Sequence, residues 1–418
     1  MTKKLFYEDS FRQEFDAVVT ECKEQEGTYL IVLDQTVFFP EGGGQSADTG
    51  MLWCTSGQND QKTVTESMCS REEEAVHITD VQEKNGQIYH KGDRPLEVGS
   101  NVHGKIDWTD RFSKMQQHTG EHIVSGLVNS IYGYHNVGFH LAKDYVTLDF
   151  DGALTKKQLR EVEQKANGAI AENIPVEVAY PSHEELKTIA YRSKIEIEGQ
   201  VRIVTIPGYD VCACCAPHVK QTGQIGMIKF VGMQNYKGGV RITMQCGFRA
   251  LEDYNRKEAL VQKISTSLSV KEDEAADAVE RLKEEIYRLT NEKAALMSQI
   301  LSYKAENQNP VGRVLIVLEE ELDGAQMREY VNLLMEKEVD TCILLNGDGQ
   351  AECREFKYVA ASKTEDARKI AKWLNDRCHG RGGGKPNMVQ GALQTERREI
   401  EQLIEEIKTQ AELRACNV

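Results

Sequence analysis

Residues 113–132, SKMQQHTGEHIVSGLVNSIY, decide how the middle of this chain is read. Apolar residues recur at three- and four-residue spacing, which predicts a helix, although Gly120 lowers the local propensity. His118 and His122 stand four apart, so one helical face carries both imidazoles, close enough to share an ion. A second pair lies in CACCAPHV (212–219), where Cys214 and His218 are also four apart. Pro217 between them predicts a loop or a helix start. Together the pairs offer three nitrogens and one thiolate, a set that zinc takes tetrahedrally. Cys212 and Cys215 are alternatives to Cys214 on spacing alone, and a redox or merely buried thiol cluster is the bland reading. Glu121 immediately precedes His122, so on a helix it points about 100° away from that imidazole and is not taken as a general base.

Outward from this stretch, YVTLDF (145–150) alternates as a strand should, and 154–174 reads as a helix opened by Thr155 with Pro175 beyond its end. IPVEVAY (174–180) and VRIVTIP (201–207) read as strands, and 225–247 as a hairpin around Lys237, Gly238 and Gly239. Residues 101–248 thus form a mixed domain. Residues 1–100 are β-rich, with TYLIVLDQTVFF (28–39) ending at Pro40 and the run Gly42, Gly43, Gly44, and a small β-barrel is expected there. In 249–308, Val279, Leu282, Ile286, Leu289, Lys293, Leu296, Ile300 and Tyr303 form a heptad seam with one polar break. That predicts a coiled-coil arm, or a long helix packed on its own protein. Residues 309–418 read as a small α/β domain ending in a glycine-rich loop, RGGGKPNMVQGAL (381–393), and a charged helix. The expected class is α+β.

The net charge of −15 speaks against a nucleic-acid partner until its distribution is read. Residues 201–250 carry six basic groups against one acidic, and 351–400 carry eleven against seven. Phosphate affinity follows such local patches. No apolar run reaches the roughly 18 residues that span a bilayer, and the start is not a signal peptide, so no membrane partner and a cytoplasmic location are expected. Of the eleven cysteines only 212, 214 and 215 cluster, and the scattered ones read as free thiols.

Several motifs together resemble the alanyl-tRNA editing family known as AlaX, which is similar to the editing domain of alanyl-tRNA synthetase. TVFFPEGGGQSADTG (36–50) resembles its glycine-rich signature, MQQHTGEHI (115–123) its first metal motif and CCAPHV (214–219) its second. NVGFHLAKDYVTLDF (136–150) resembles the following strand segment, GGVRITMQCG (238–247) the closing hairpin, and RGGGKPNMVQGAL the end of the DHH-associated domain. The resemblance implies hydrolysis of the ester joining serine or glycine to alanine tRNA, with one zinc per chain on His118, His122, Cys214 and His218. It implies that Thr36 meets a serine hydroxyl and that Gln45 lies near the substrate. It also implies a role for Arg381, Gly382, Gly383, Gly384 and Lys385 in tRNA binding or dimer contacts. Cys215, Ala216 and Pro217 depart from the family's usual Gly-Gly-Thr.

Read from the residues themselves, Arg241 and Lys237 are candidates for phosphate contacts near the acceptor end, with a solvated face as the bland alternative. Gly42–44 permit close backbone approach to a carbonyl or form a tight turn. His140 is either near the metal or an ordinary strand-end histidine. A homodimer is expected through the arm or the C-terminal domain. Competing functions are a metal-dependent hydrolase of small molecules and a zinc-containing tRNA-binding module without turnover. The absence of an Asp-His-His triplet opposes a DHH phosphoesterase, and no region before the editing motifs is long enough for an aminoacylation domain.

Overall fold

The computed structural model describes residues 1–55, 74–142, 144–193, 199–347 and 355–416, with side chains to 411. Cys69, Cys353 and the side chain of Cys416 fall outside the described residues. The chain divides into two compact units, Met1–Gln262 and Lys263–Val418.

The first unit begins with β1 (Lys3–Lys4), β2 (Glu14–Gln25), β3 (Thr28–Leu33), β4 (Gln35–Thr36), β5 (Gly50–Cys54), β6 (Val76–Lys84), β7 (Gln87–Gly92) and β8 (Asn101–Ile106). β1 pairs with β4 in parallel, and the rest close a barrel in the order β2-β3-β7-β6-β5-β8. Alternate residues point inward, as period-two burial of Phe15, Ala17 and Val19 along β2 shows. The barrel runs past the expected boundary at 100, because β8 pairs with both β2 and β5 and so closes it. Gly104 in β8 makes room for Phe15, whose ring a Cβ there would approach to 2.3 Å.

Next comes α1 (Trp108–Tyr132), capped by the Asp107 carboxylate accepting from the Asp110 N–H and ended by Gly133 at φ 72°. It is buried on every side from Lys114 to Val128, far more than the apolar stripe of an ordinary surface helix. Around it lie β9 (Asn136–Leu141), β10 (Val146–Phe150), α2 (Lys156–Glu172), β11 (Glu177–Ala179), α3 (His183–Leu186), β12 (Ile203–Ile206), β13 (Asp210–Ala213), β14 (Ile228–Tyr236) and β15 (Gly239–Cys246). These strands make two antiparallel sheets, β14-β15-β10-β9 and β11-β12-β13. The helix expected at 154–174 is α2, with Thr155 in a full capping box with Gln158. α1 meets the barrel through Arg111, which is 0% exposed. Its Nε donates to both Asp48 oxygens at 3.0 and 2.9 Å, and its Nη2 to the Val37 carbonyl at 2.6 Å.

α4 (Gly247–Leu268) and α5 (Ala275–Asn307) follow, the second lying wholly in the second unit. That unit is built on a five-stranded sheet of β16 (Val314–Glu320), β17 (Thr341–Gly347), β18 (Glu355–Ser362), β19 (Arg381–Lys385) and β20 (Met388–Gln394), ordered β16-β17-β18-β20-β19. One apolar cluster joins it to the end of α5 and to α6 (Gly324–Met335). The other joins it to α7 (Ala367–Arg377) and α8 (Arg397–Cys416). The heptad residues of α5 do not enter these cores: Leu282, Ile286, Leu289, Leu296, Ile300 and Tyr303 are 48 to 67% exposed. Residues 381–385, expected as a loop, form the exposed edge strand β19. Gly382 and Gly384 let it lie close to β20, where a Cβ would come within 2.5 Å and 2.6 Å of backbone oxygens.

Asp48→Ala leaves Arg111 charged and unpaired in the interior, and should cost about 3–5 kcal/mol in equilibrium denaturation. Adding Arg111→Met should recover most of that loss. If Asp48→Ala unfolds at the wild-type midpoint, the pair does not hold barrel to helix.

Candidate metal centre

One turn of α1 separates His118 from His122, and both are 2% exposed. β13 delivers the chain to Cys214, and the loop beyond it returns His218, also 2% exposed. The ligand atoms of these four side chains all lie within 4.8 Å of one another. The Cys214 sulfur is 3.5 Å from His118 Nε2 and 3.3 Å from His218 Nε2. A tetrahedral zinc with bonds of roughly 2.0–2.3 Å sets its ligand atoms about 3.3–3.7 Å apart, so the donor set fits such an ion.

Each imidazole is held by its other nitrogen. His118 Nδ1 lies 3.1 Å from Gln45 Oε1, His122 Nδ1 2.9 Å from Asp210 Oδ2, and His218 Nδ1 3.1 Å from Thr119 Oγ1. A carboxylate only accepts, so His122 keeps a proton on Nδ1, and Nε2 is the nitrogen a metal would take. Thr119 also accepts the Val219 N–H at 3.3 Å, fixing the loop that bears His218.

Charge separates the three cysteines. Burial alone would raise the Cys214 thiol, yet the His118 and His218 imidazoles beside it hold it well below the ordinary thiol range. Burial raises Cys212, and pushes Cys215 up to about 11. Burial also drives His218 down to about 3. For His122 burial is outweighed by Asp210 and Cys214, which raise it. Cys212 groups instead with His122 and Asp210, a second set of possible ligands. Cys215 faces the glycine turn, its sulfur 3.1 Å from where a Gly43 Cβ would stand.

Two acidic residues missing from the sequence-based site lie here. Asp210 is one, itself gripped by Arg192. Glu121 is the other: it accepts from Ser125 Oγ at 2.7 Å and Asn136 Nδ2 at 2.6 Å, and, against the expectation from its helical position, its Oε2 reaches to 3.8 Å from His122 Nε2. An aspartate that opens a strand gives no sequence signal of this kind.

Of the other sequence-based candidates, Gln45 joins the cluster, and its Nε2 is buried without a hydrogen-bond partner among the described residues. Residues 42–44 make a tight turn closed by the Gly42 and Gln45 backbones at 3.0 Å, with Gly43 and Gly44 at positive φ. Thr36 stands on β4 and is 0% exposed. Its hydroxyl is 2.9 Å from His90 Nε2 and accepts the Phe38 N–H at 3.1 Å. His90 Nδ1 faces the Ile31 carbonyl at 3.1 Å, an acceptor, so the proton sits there and Thr36 donates to Nε2. Lys237 tips the β14–β15 hairpin at φ 46°. Arg241 stands on β15, its Nε and Nη2 each 2.6 Å from the Asp149 carboxylate and its guanidinium 3.8 Å above the Tyr236 ring. Its charge is thus committed to Asp149. His140 is exposed on β9.

Residues 3–110 match the family described as tRNA synthetases class II (A), and 201–243 the threonyl and alanyl tRNA synthetase second additional domain. Residues 311–413 match the DHHA1 domain. A protein named alanyl-tRNA editing protein AlaX-L from Pyrococcus horikoshii is 27% identical, covering 96% of each chain. Alanine–tRNA ligases of Pyrococcus furiosus and Thermococcus kodakarensis are each 30% identical over 97% of this chain, which spans only 43% of their length.

Burial lowers native His90 to about 4, so the folded protein keeps it neutral while the unfolded chain protonates near 6.5. The unfolded state then binds the extra proton, and stability falls as pH drops from 6.5 to 4, by about 3 kcal/mol. Denaturant titrations across that range should show a shallower decline in His90→Phe. Equal slopes in both proteins would remove His90 as the source.

Proposed function

We propose that this chain, which belongs to the long-form alanyl-tRNA editing family, AlaX-L, hydrolyses the ester between serine or glycine and the terminal adenosine of mischarged alanine tRNA. The observation that carries the reading is the convergence of His118, His122, Cys214 and His218 beside a buried Gln45 amide with an uncommitted N–H₂. A zinc ion held by the four would organise the pocket, and with one of the four yielding its place to water or to the ester carbonyl it would activate that group. Gln45 presents its Nε2 hydrogens to the carbonyl oxygen while its Oε1 fixes His118. Asp210 and Thr119 keep the other two imidazoles turned toward the thiolate. Thr36 spends its proton on His90 and accepts from Phe38, so it offers a ligand one lone pair, which suits a serine hydroxyl as donor. Alanine has none, and an unmet polar partner costs about 1–3 kcal/mol, enough for tenfold discrimination or more.

Lys237 at its hairpin tip and Arg381 and Lys385 at the ends of β19 remain the candidates for tRNA phosphates, whereas Arg241 acts through Asp149. The chain works in the cytoplasm as a homodimer formed along α5. Val279, Ile286 and Ile300 at one seam position and Leu282, Leu289 and Leu296 at the other match a two-stranded parallel coil, with Lys293 as the single polar residue that sets register.

Purified protein mixed with alanine tRNA charged with serine, glycine or alanine should release the first two quickly and alanine slowly. His118→Ala with His122→Ala should release none. Intact esters with bound tRNA would favour the binding module, in which four protein donors close the metal site. Intact esters without tRNA binding would return the small-molecule hydrolase.

Sedimentation should give a dimer for the wild type and a monomer for Leu289→Glu with Leu296→Glu, with unchanged helix content in the second unit. A monomeric wild type would reassign the seam.

A further inference from the structure

Asp210 belongs to the second set of possible ligands and is hydrogen-bonded to His122, the residue both sets share. Its side chain is 1% exposed, and three donors already use it. Arg192 Nε gives a hydrogen bond to Oδ1 at 2.7 Å and Nη2 one to Oδ2 at 2.9 Å, while His122 Nδ1 takes Oδ2 as well. The guanidinium matches the carboxylate in a planar, bidentate fork, the strongest form such a pair takes. Arg192 is not held by this contact alone. Its N–H donates to the Val211 carbonyl at 2.8 Å and its carbonyl accepts from Ala213 at 2.9 Å, so its backbone is stitched along β13. The neighbouring segment is otherwise exposed, with residues 182–185 and 187–188 all open to solvent. Its firm attachment therefore runs to the strand that carries Asp210 and leads to Cys214.

We propose that Arg192 is a positioning residue that decides which ligand set holds the metal. By engaging both oxygens of the Asp210 carboxylate it keeps that group a hydrogen-bond acceptor for His122 rather than a ligand. His122 then has one orientation, with Nε2 toward Cys214, and the ion goes to the three-histidine, one-thiolate set. The inference rests on the metal reading given above. Partners of ligating histidines typically change metal affinity by about 10- to 100-fold when removed, and a residue one step further out acts through the same hydrogen bond.

Cobalt(II) is a suitable probe, because its visible spectrum reports both coordination number and thiolate ligation. Apo wild type should take up one equivalent with an intense tetrahedral, thiolate-bearing spectrum that Cys214→Ser abolishes. Arg192→Gln should bind about 10-fold or more weakly, with a spectrum shifted toward higher coordination as Asp210 competes. Arg192→Lys, which keeps the charge but loses the fork, should fall between. Because an unpaired Asp210 could destabilise the fold, Arg192→Gln with Asp210→Asn serves as the control. An Asn oxygen still accepts from His122 Nδ1 without offering a charged ligand, so the wild-type spectrum and most of the affinity should return. Wild-type affinity and spectrum in Arg192→Gln would overturn the proposal. So would weakened binding that the double variant fails to restore, since Arg192 would then be only structural. A wild type that binds no cobalt would instead refute the metal reading itself.

Discussion

α1 is a helix with no wet side over most of its length, and the rest of the first unit is arranged to satisfy it. A polar group buried without a partner costs about 1–3 kcal/mol, and a buried charge more. Arg111 needs Asp48 from the barrel, and Lys114 gives its Nζ to the Ala47 carbonyl. Gln117 exchanges both amide functions with the Cys246 backbone. Thr119 needs the loop of His218, and His122 needs Asp210. The barrel, the closing hairpin and the cysteine loop are thereby drawn to one helix by side chains that would each be costly alone. The four possible ligands converge as a by-product of the same requirement.

The elements that came through clearly in the sequence are those written in local pattern. The helix of α1, the helix of α2 opened by Thr155, the β14–β15 hairpin and the two four-residue spacings need only neighbours in the chain. The groups that escaped are held by distance. Asp210 meets His122 across 88 positions, and Arg111 meets Asp48 across 63, and no periodicity announces either pair. Residues 381–385 read as a loop because glycine packs no side chain and weakens a strand. There the neighbour decides: β20 approaches Gly382 and Gly384 so closely that only glycine fits at those two positions, and backbone pairing overrides propensity. Gly120 is the same case in a helix, since a Cβ would stand 2.5 Å from the Cys246 sulfur.

The heptad seam shows the opposite relation. Its pattern was legible, but a pattern of apolar residues states only that something covers them. The folded unit leaves that face of α5 open while burying Leu301 and Ala305 on another face of the same helix. One helix therefore serves two surfaces, a closed core and an open stripe. Contiguous exposed apolar area of this kind marks an interaction surface. The acidic total charge likewise hides local arrangement: Arg241 is neutralised by Asp149, whereas Arg381 and Lys385 stand exposed at the ends of one edge strand.

The two glycines inside α1 bear on how the molecule comes together in time. Gly120 and Gly126 each lower helix stability by about 1 kcal/mol relative to alanine, so the isolated segment is a poor nucleus. Both are required only once Cys246 and the Tyr209 carbonyl arrive, from more than eighty positions away in sequence. A helix that is weak alone and strong when surrounded forms late, together with its surroundings, and closing such long loops is slow. The first unit should thus fold in one concerted, unhurried step. A half-made ligand cluster, with its thiolate exposed to stray metals, has little chance to accumulate on the way.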